Sequence, residues 1–180
     1  MSRLAALSLP IDWESFGFPA APLLDGVALT NGPVGWAWEP VAPDLPVALI
    51  DPPEATTVDG WAVDHVVVLI ESVDDTVDVM ASIGLAPRLR MEVQGRPAVF
   101  FRAGPVVEAI TSPVRQTSLY GVALVAEESL ETLALRWRSV GHDVSDPRPA
   151  IQPGRRILTV RGVEAGLAVM SPDRSSPDDG

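Results

Sequence analysis

Two stretches of the sequence decide how the chain is read: Asp64-His65-Val66-Val67-Val68-Leu69 and, further along, Val106-Val107-Glu108-Ala109-Ile110. Each is an apolar, valine-rich run typical of a buried strand. The first run carries a lone histidine, His65, and the second a lone glutamate, Glu108. An amphipathic helix and two further strand-like runs lie between them, so this part of the sequence predicts a βαβββ module over residues 61–113.

The helix of this module has clear start and stop signals. Ser72 followed three residues later by Asp75 resembles a capping box, in which each side chain satisfies a free backbone amide. Val73, Val77 and Met80 then repeat on one helical face, and Gly84 stands where the helix should end. The remaining residues predict strands over 88–93, 97–102 and 106–111.

The same order of elements recurs over residues 114–172. The acidic stretch before Leu130 opens a second helix, whose Leu130, Leu133 and Trp137 share a face, and Gly141 ends it. Further strands are predicted near 143–144, 156–161 and 166–170. Because one such module cannot bury its sheet face alone, we expect two modules to share one sheet. The predicted fold class is α+β, with two βαβββ modules forming a cupped mixed sheet.

Residues 1–60 are rich in proline and predict a strand-rich N-terminal extension. Strand-like pieces lie at 26–30 and 35–39, and the intervening Asn31-Gly32 is a strong hairpin signal. A short helix is predicted from Trp13 to Phe16, and the prolines of 40–59 predict an extended linker. We interpret the extension as a degenerate half-module without its first strand, packed on the sheet or on a second subunit. Residues 173–180 are predicted to form a disordered tail.

Composition excludes several classes of function. The chain has no cysteine and its 13 basic residues are all arginine, so thiolate metal sites, lysine Schiff bases and Walker-type phosphate loops are ruled out. A net charge of −11 disfavours nucleic acid and anionic membranes as partners. No apolar run is long enough to span a bilayer, and the N-terminus does not look like a secretory signal. We therefore predict a cytoplasmic protein with no membrane or nucleic-acid partner.

The motifs, in this order, resemble those of the vicinal-oxygen-chelate superfamily, which includes glyoxalases, bleomycin-resistance proteins and extradiol dioxygenases. The chain is most similar to a group of uncharacterised actinobacterial glyoxalase-like proteins. The motifs that carry the resemblance are Gly17-Phe18, Val34-Gly35-Trp36, Val63-Asp64-His65-Val66-Val67-Val68, Phe100-Phe101-Arg102, Val106-Val107-Glu108-Ala109-Ile110, Leu119-Tyr120-Gly121-Val122-Ala123-Leu124 and Gln152-Pro153-Gly154-Arg155-Arg156-Ile157-Leu158-Thr159. The resemblance implies a small-molecule site inside the cup and, since members often dimerise, a homodimer.

In that superfamily a metal takes one ligand from the first strand and one from the last strand of each module. The resemblance places His65 and Glu108 at the first module's two positions. In the second module the matching places fall near Tyr120 to Val122 and at Leu167, which offer no good ligand. A divalent Zn, Ni, Mn or Fe ion would then have only a partial site, whereas catalytic zinc sites keep about three protein ligands.

Several candidate site residues have more than one reading. His65 is a ligand, a general base or a buried polar residue, and Glu108 is its partner or pairs with Arg102 or Arg96. An ionised Glu108 near His65 would form a dyad able to move a proton beside a carbonyl. Gln152, Arg155 and Arg156 are either an anion anchor at the mouth of the cup or a surface turn. Phe100 and Tyr120 are candidates for an apolar pocket wall, while Arg102 and Arg161 read as rim or sheet-face arginines.

Three functional hypotheses follow from the sequence. The first is a glyoxalase-like lyase or isomerase in which His65 and Glu108 act as the acid–base or partial metal pair and an arginine anchors an anionic substrate. The second is a metal-free protein that binds and sequesters a small molecule in the same cup. The third is a degenerate interaction module whose cup is filled by its own side chains.

Overall fold

A computed structural model describes residues 1–173; all but the first residue of the predicted tail, 173–180, lies outside this range. These residues form two sheets and two α-helices. The elements of the extension are β1 (Arg3–Leu9), a 3-10 helix (Trp13–Phe16), β2 (Pro22–Leu24), β3 (Val27–Asn31), β4 (Gly35–Glu39) and β5 (Thr56–Thr57). The elements of the two modules are β6 (Trp61–Ile70), α1 (Val73–Ser82), β7 (Pro87–Val93), β8 (Arg96–Arg102), β9 (Val106–Thr111), β10 (Ser118–Ala126), α2 (Leu130–Ser139), β11 (Asp143–Val144), β12 (Arg148–Pro149), β13 (Arg156–Arg161) and β14 (Gly166–Met170).

Both modules contribute to one nine-stranded mixed sheet, the main sheet, with order β11-β13-β14-β10-β6-β9-β8-β7 and β12 beside β13. The first and last strands of each module pair in parallel, β6 with β9 and β10 with β14. The two first strands, β6 and β10, pair antiparallel at the centre and join the modules. The predicted α+β fold with two βαβββ modules in a cupped sheet is confirmed.

The helices form where the sequence signals predict them. Ser72 caps α1, since its side chain accepts a hydrogen bond from the Asp75 amide at 3.3 Å, and Ser129 caps α2 in the same way through the Thr132 amide. Met80 of α1 and Trp137 of α2 are fully buried. Both helices cover the same face of the main sheet, and this helix-bearing face holds the buried side chains of the strands. No helix within residues 1–173 is long and apolar enough to cross a membrane.

The extension differs from its prediction in two respects. Its sheet has the order β4-β1-β3-β2-β5, so β3 and β4 do not pair and the hairpin predicted at Asn31-Gly32 is wrong. A first strand is also present: β1 lies between them, parallel to β3 and antiparallel to β4. β6 has the same relations, parallel to β9 and antiparallel to β10. This pairing favours our interpretation of the extension as a half-module. The prediction that the half-module lacks its first strand is wrong, because β1 is that strand.

The extension packs on the helix-bearing face of the main sheet. The Trp137 indole donates a hydrogen bond to the Phe16 carbonyl at 3.0 Å, and the two rings meet edge to face. Phe18 packs edge to face on Trp61 of β6. At the other helix, the Ser2 amide bonds to the Ile83 carbonyl. The extension, the helices and the main sheet therefore share one apolar core, and the opposite face of the main sheet stays open as the cup.

Candidate functional site

An irregularity in β6 shapes the site. His65 lies opposite Ala123 of β10, but Leu124 lies opposite Val63, so Asp64 is an extra residue in β6 without an opposite partner. This is a β-bulge, a device that redirects side chains. In a regular strand Asp64 and His65 would point to opposite faces. The bulge brings them to the same side, where both side chains are mostly buried.

Four charged or polar side chains form a chain of contacts across the cup. Arg155 donates to Oδ1 of Asp64 at 2.6 Å, and Oδ2 of Asp64 lies 2.8 Å from Nδ1 of His65. On the other side of the imidazole ring, Nε2 lies 3.4 Å from Oε2 of Glu108. Since an ionised carboxylate only accepts hydrogen bonds, Asp64 fixes a proton on Nδ1 and leaves Nε2 facing Glu108.

The two carboxylates of this chain have pKa values shifted in opposite directions. Burial raises the pKa of Asp64, but the hydrogen bonds from His65 and Arg155 outweigh it and hold the pKa below its ordinary value. Burial also raises the pKa of Glu108; the attraction of His65 opposes this only in part and the Asp64 charge adds to it, so the net shift is upward. Carboxylates separated in this way suit different roles, one as a permanent charge and one as a proton carrier.

Side chains of neighbouring strands surround the pair on the cup face. Phe100 of β8 lies directly opposite Glu108 and is half-buried; its role as a pocket wall stays a prediction. Ala123 lies opposite His65, and Ala168 lies beside Ala123 on β14. Of the places that the resemblance gives for second-module ligands, near Tyr120 to Val122 and at Leu167, Val122 and Leu167 pair with each other and point into the core on the other face. On β10 and β14 the cup side is thus lined by alanine and glycine, and Thr159 of β13 lies opposite Ala168.

The residues present do not fit the metal that the resemblance implies. A catalytic zinc needs about three protein ligands. His65 and Glu108 supply two, and within residues 1–173 no group of three histidine or carboxylate side chains is arranged to hold a metal ion. The second module adds none, because Ala123 and Ala168 carry no donor atoms.

Arg155 and Arg156 do not act as free cations at the mouth of the cup. Arg155 is buried, and besides Asp64 it bonds to Oε1 of Gln152 at 2.6 Å and to the Ser171 carbonyl at 2.9 Å. Arg156 pairs with Glu131 of α2, on the helix-bearing face. Gln152 and Arg155 therefore support Asp64, and Arg156 lies outside the cup.

Tyr120 lies at a second bulge, between Leu119 and Gly121 of β10. Its ring covers Gly166, where an added Cβ would lie 2.6 Å from the ring edge. Tyr120 lines a cleft of about 450 Å³ together with the β13–β14 turn, whose lining residues do not include His65 or Glu108. The structure thus brings together His65, Glu108, Phe100, Arg155 and Gln152, and places Tyr120 at a separate cleft.

The sequence interpretation missed Asp64 as a site residue. The signal was present: two successive polar residues, Asp64 and His65, interrupt the apolar run and break the period-two alternation of a strand. Such a break predicts a bulge, and a bulge makes neighbouring side chains share a face.

Solved structures with a similar backbone agree with the fold. The methylmalonyl-CoA epimerase of Mycobacterium tuberculosis matches with a TM-score of 0.51 and 15% identity, over 62% of this chain and 87% of that chain. A hypothetical protein from Bacillus halodurans matches with a TM-score of 0.55 and 17% identity, over 67% of this chain and 100% of that chain. The chain has the vicinal-oxygen-chelate fold.

Identities this low show the vicinal-oxygen-chelate fold alone and carry no activity to this chain. No protein-family model and no curated protein sequence matches it significantly. The similarity to an actinobacterial group therefore stays a prediction, and function must be argued from the side chains in the cup.

Proposed function

We propose that the chain is a glyoxalase-like enzyme, of the lyase or isomerase type, that transfers a proton at a carbon beside a carbonyl group without a resident metal. The observation that carries the proposal is the contact chain from Asp64 through His65 to Glu108. A mostly buried carboxylate with a raised pKa, next to an oriented imidazole, is an arrangement suited to general acid–base catalysis.

In the proposed reaction, Glu108 acts as the base. Its carboxylate takes the proton from the carbon, the C–H electron pair moves into the carbonyl, and an enolate forms. The raised pKa of Glu108 makes it a stronger base than an exposed glutamate. Return of the proton to the carbon completes an isomerisation, whereas departure of a group from the neighbouring carbon completes an elimination.

His65 has a positioning and proton-relay role in this scheme. Asp64 holds Nδ1, so Nε2 always points toward Glu108 and the reacting group. From there it exchanges a proton with Glu108 or with the substrate. Arg155, by neutralising Asp64, keeps that carboxylate ionised inside the fold.

The alternative is a binding protein that sequesters a small molecule without reaction. The alanine and glycine lining of β10 and β14 favours it, because these two strands offer space and no acid or base. The charged chain of the first module favours the enzyme, since mostly buried charges are costly and cluster at functional sites.

Deuterium exchange tests the proposal. The protein is incubated in D₂O with small 2-oxo acids, α-hydroxy ketones and methylmalonyl-CoA, and loss of the α-proton signal is followed by NMR. We expect exchange on at least one compound, and a loss of about 10²–10⁴-fold in Glu108→Gln. Glu92→Gln, on the exposed strand β7, is the matched control and should keep full activity. A compound that binds in the cup of wild type yet exchanges no proton would instead establish the binding protein.

A further inference from the structure

A slot opens beside Asp64, where the main sheet meets the extension; His65 and Glu108 are not among its lining residues. Pairing of β6 with β9 begins only at His65 and Val106. Beyond that point the two strands are separated by the slot, which has a volume of about 230 Å³. Its lining residues come from the main sheet, from the β8–β9 turn and from the extension: Asp25, Val27, Val63, Asp64, Arg102, Gly104, Pro105 and Val125.

Arg102 is the cation that the slot presents to a ligand. It lies opposite Val106, and Val106 lies beside His65, so the three share one row across the cup face. At about 4.8 Å per strand, the backbones of Arg102 and His65 are about 10 Å apart. Arg102 is exposed, and within residues 1–173 no carboxylate pairs with it. Its guanidinium therefore keeps all its donors, unlike that of Arg155.

We propose that Arg102 binds the carboxylate of the substrate and holds the substrate so that its reacting carbon lies at the His65–Glu108 pair; this inference rests on the proposed function. A planar guanidinium matches a carboxylate with two parallel hydrogen bonds. The volume is below the 300 Å³ or so of a typical small-molecule pocket, so the slot holds one small group while the rest of the substrate lies in the cup.

Asp25 restricts which anions the slot accepts. It lies on the β2–β3 turn of the extension and lines the same slot. Asp64 is already neutralised by Arg155, so Asp25 and Arg102 leave the slot with no net charge. Asp25 repels every anion that enters, so only a ligand whose negative group lies closer to the Arg102 guanidinium than to Asp25 gains from binding. The substrate class that fits one planar guanidinium beside the acid–base pair is a small monocarboxylate with a carbonyl next to the reacting carbon.

Binding and turnover are measured separately to test this. 2-Oxobutyrate is the monocarboxylate probe and inorganic phosphate the dianion, each titrated by NMR into wild type, Arg102→Gln, Asp25→Asn and the control Arg88→Gln. Arg88 is also exposed and without an ion-pair partner within residues 1–173, but it lies on the edge strand β7. We expect Arg102→Gln to weaken 2-oxobutyrate binding about tenfold or more, and Arg88→Gln to change nothing. Asp25→Asn should bring phosphate binding up toward that of 2-oxobutyrate.

Each outcome assigns failure to one proposal. If Arg102→Gln and Arg88→Gln bind 2-oxobutyrate as wild type does, the anchor is wrong, whatever Glu108→Gln does to proton exchange. If Arg102→Gln abolishes binding but wild type exchanges no proton on bound 2-oxobutyrate, the anchor stands and the proposed reaction fails for this class. The last comparison uses a monocarboxylate on which the wild-type protein exchanges a proton. Arg102→Lys should have a KM between those of wild type and Arg102→Gln, with kcat unchanged. A fall of kcat alone would contradict an anchoring role.

Discussion

The two modules have the same order of elements but present different side chains to the cup. In the first module, Glu108 of the last strand lies beside Val67; in the same row across the sheet, the second module has Gly121 and Gly166. His65 likewise faces Ala123. The first module thus carries the proposed acid–base pair, and the second module gives it room and, through Arg155, a counter-charge for Asp64. A duplicated scaffold can divide its tasks while keeping one backbone.

The largest effect expected from this division is on catalysis. Glu108→Gln should remove proton exchange and at the same time stabilise the fold at neutral pH. A group whose pKa is raised by folding destabilises the native state once pH rises above the unfolded value of about 4.5, and glutamine lacks that charge. Urea unfolding of both proteins at pH 7 and pH 4 checks this. The stability gain should be present at pH 7 and vanish by pH 4; a gain that does not depend on pH would contradict it.

The paired glycines of the second module, Gly121 and Gly166, should tolerate no side chain. A Cβ at Gly121 would lie 2.2 Å from the Gly166 carbonyl oxygen, which is backbone and cannot move aside. Gly121→Ala should cost about 3 kcal/mol or more of unfolding free energy, through overpacking and the shift of a strand. Gly32→Ala is the control, because its Cβ would meet only the Ser8 hydroxyl. Equal melting temperatures of the two variants would refute the close approach of β10 and β14.

The next largest effect on stability is expected from Arg155, which supplies the counter-charge to Asp64. Arg155→Met leaves Asp64 mostly buried beside His65 without its guanidinium, and removal of one partner of such a pair costs about 3 kcal/mol. Arg156→Met breaks an exposed pair and should cost under about 1 kcal/mol. The Arg155 contribution is present above the unfolded Asp64 pKa of about 3.8 and is lost as pH falls through the lower folded value. Denaturant titrations in which both variants lose the same stability would show that Arg155 does not support the site.

The smallest effect concerns metal. Elemental mass spectrometry of untagged wild-type protein, His65→Ala and Glu108→Ala should find divalent metal well below one ion per chain in all three. Two ligands without a third give weak binding. A stoichiometric metal in wild type that disappears in both variants would restore the chelate mechanism. The substrate would then have to supply the ligands that the second module lacks.

Much of the main sheet could be predicted because its signals are local. The valine run of β6, the serine caps of both helices and the glycine stops each depend on a few neighbouring residues. His65 and Glu108 could be paired because the first and last strands of a module are neighbours in the fold. β1 was missed because its run of leucine and alanine is buried on both faces and shows neither strand alternation nor β-branched residues.

The details of the site depended on contacts between distant residues. Nothing in the local sequence distinguishes Arg102 from Arg155 as an ion-pair partner. In the structure Arg155 pairs with Asp64, whereas Arg102 pairs with no carboxylate within residues 1–173. Which arginine finds a carboxylate is set by three-dimensional packing, not by its neighbours in the chain. For the same reason the sequence pattern favours an anion anchor at Arg155 and Arg156, whereas the side-chain contacts of the structure favour Arg102.

The bulge in β6 also bears on how such a site could arise. With Asp64 present, Val63 points into the core and Ala62 faces the cup side, paired with Val125. Deleting Asp64 would leave both on the same faces, because Val63 would simply take the place next to His65 in a regular strand. Asp64 is therefore a residue that the core packing of this strand does not require. A single-codon insertion or deletion could add it to, or remove it from, a folded ancestor, so the carboxylate proposed to orient His65 and the scaffold are free to evolve separately.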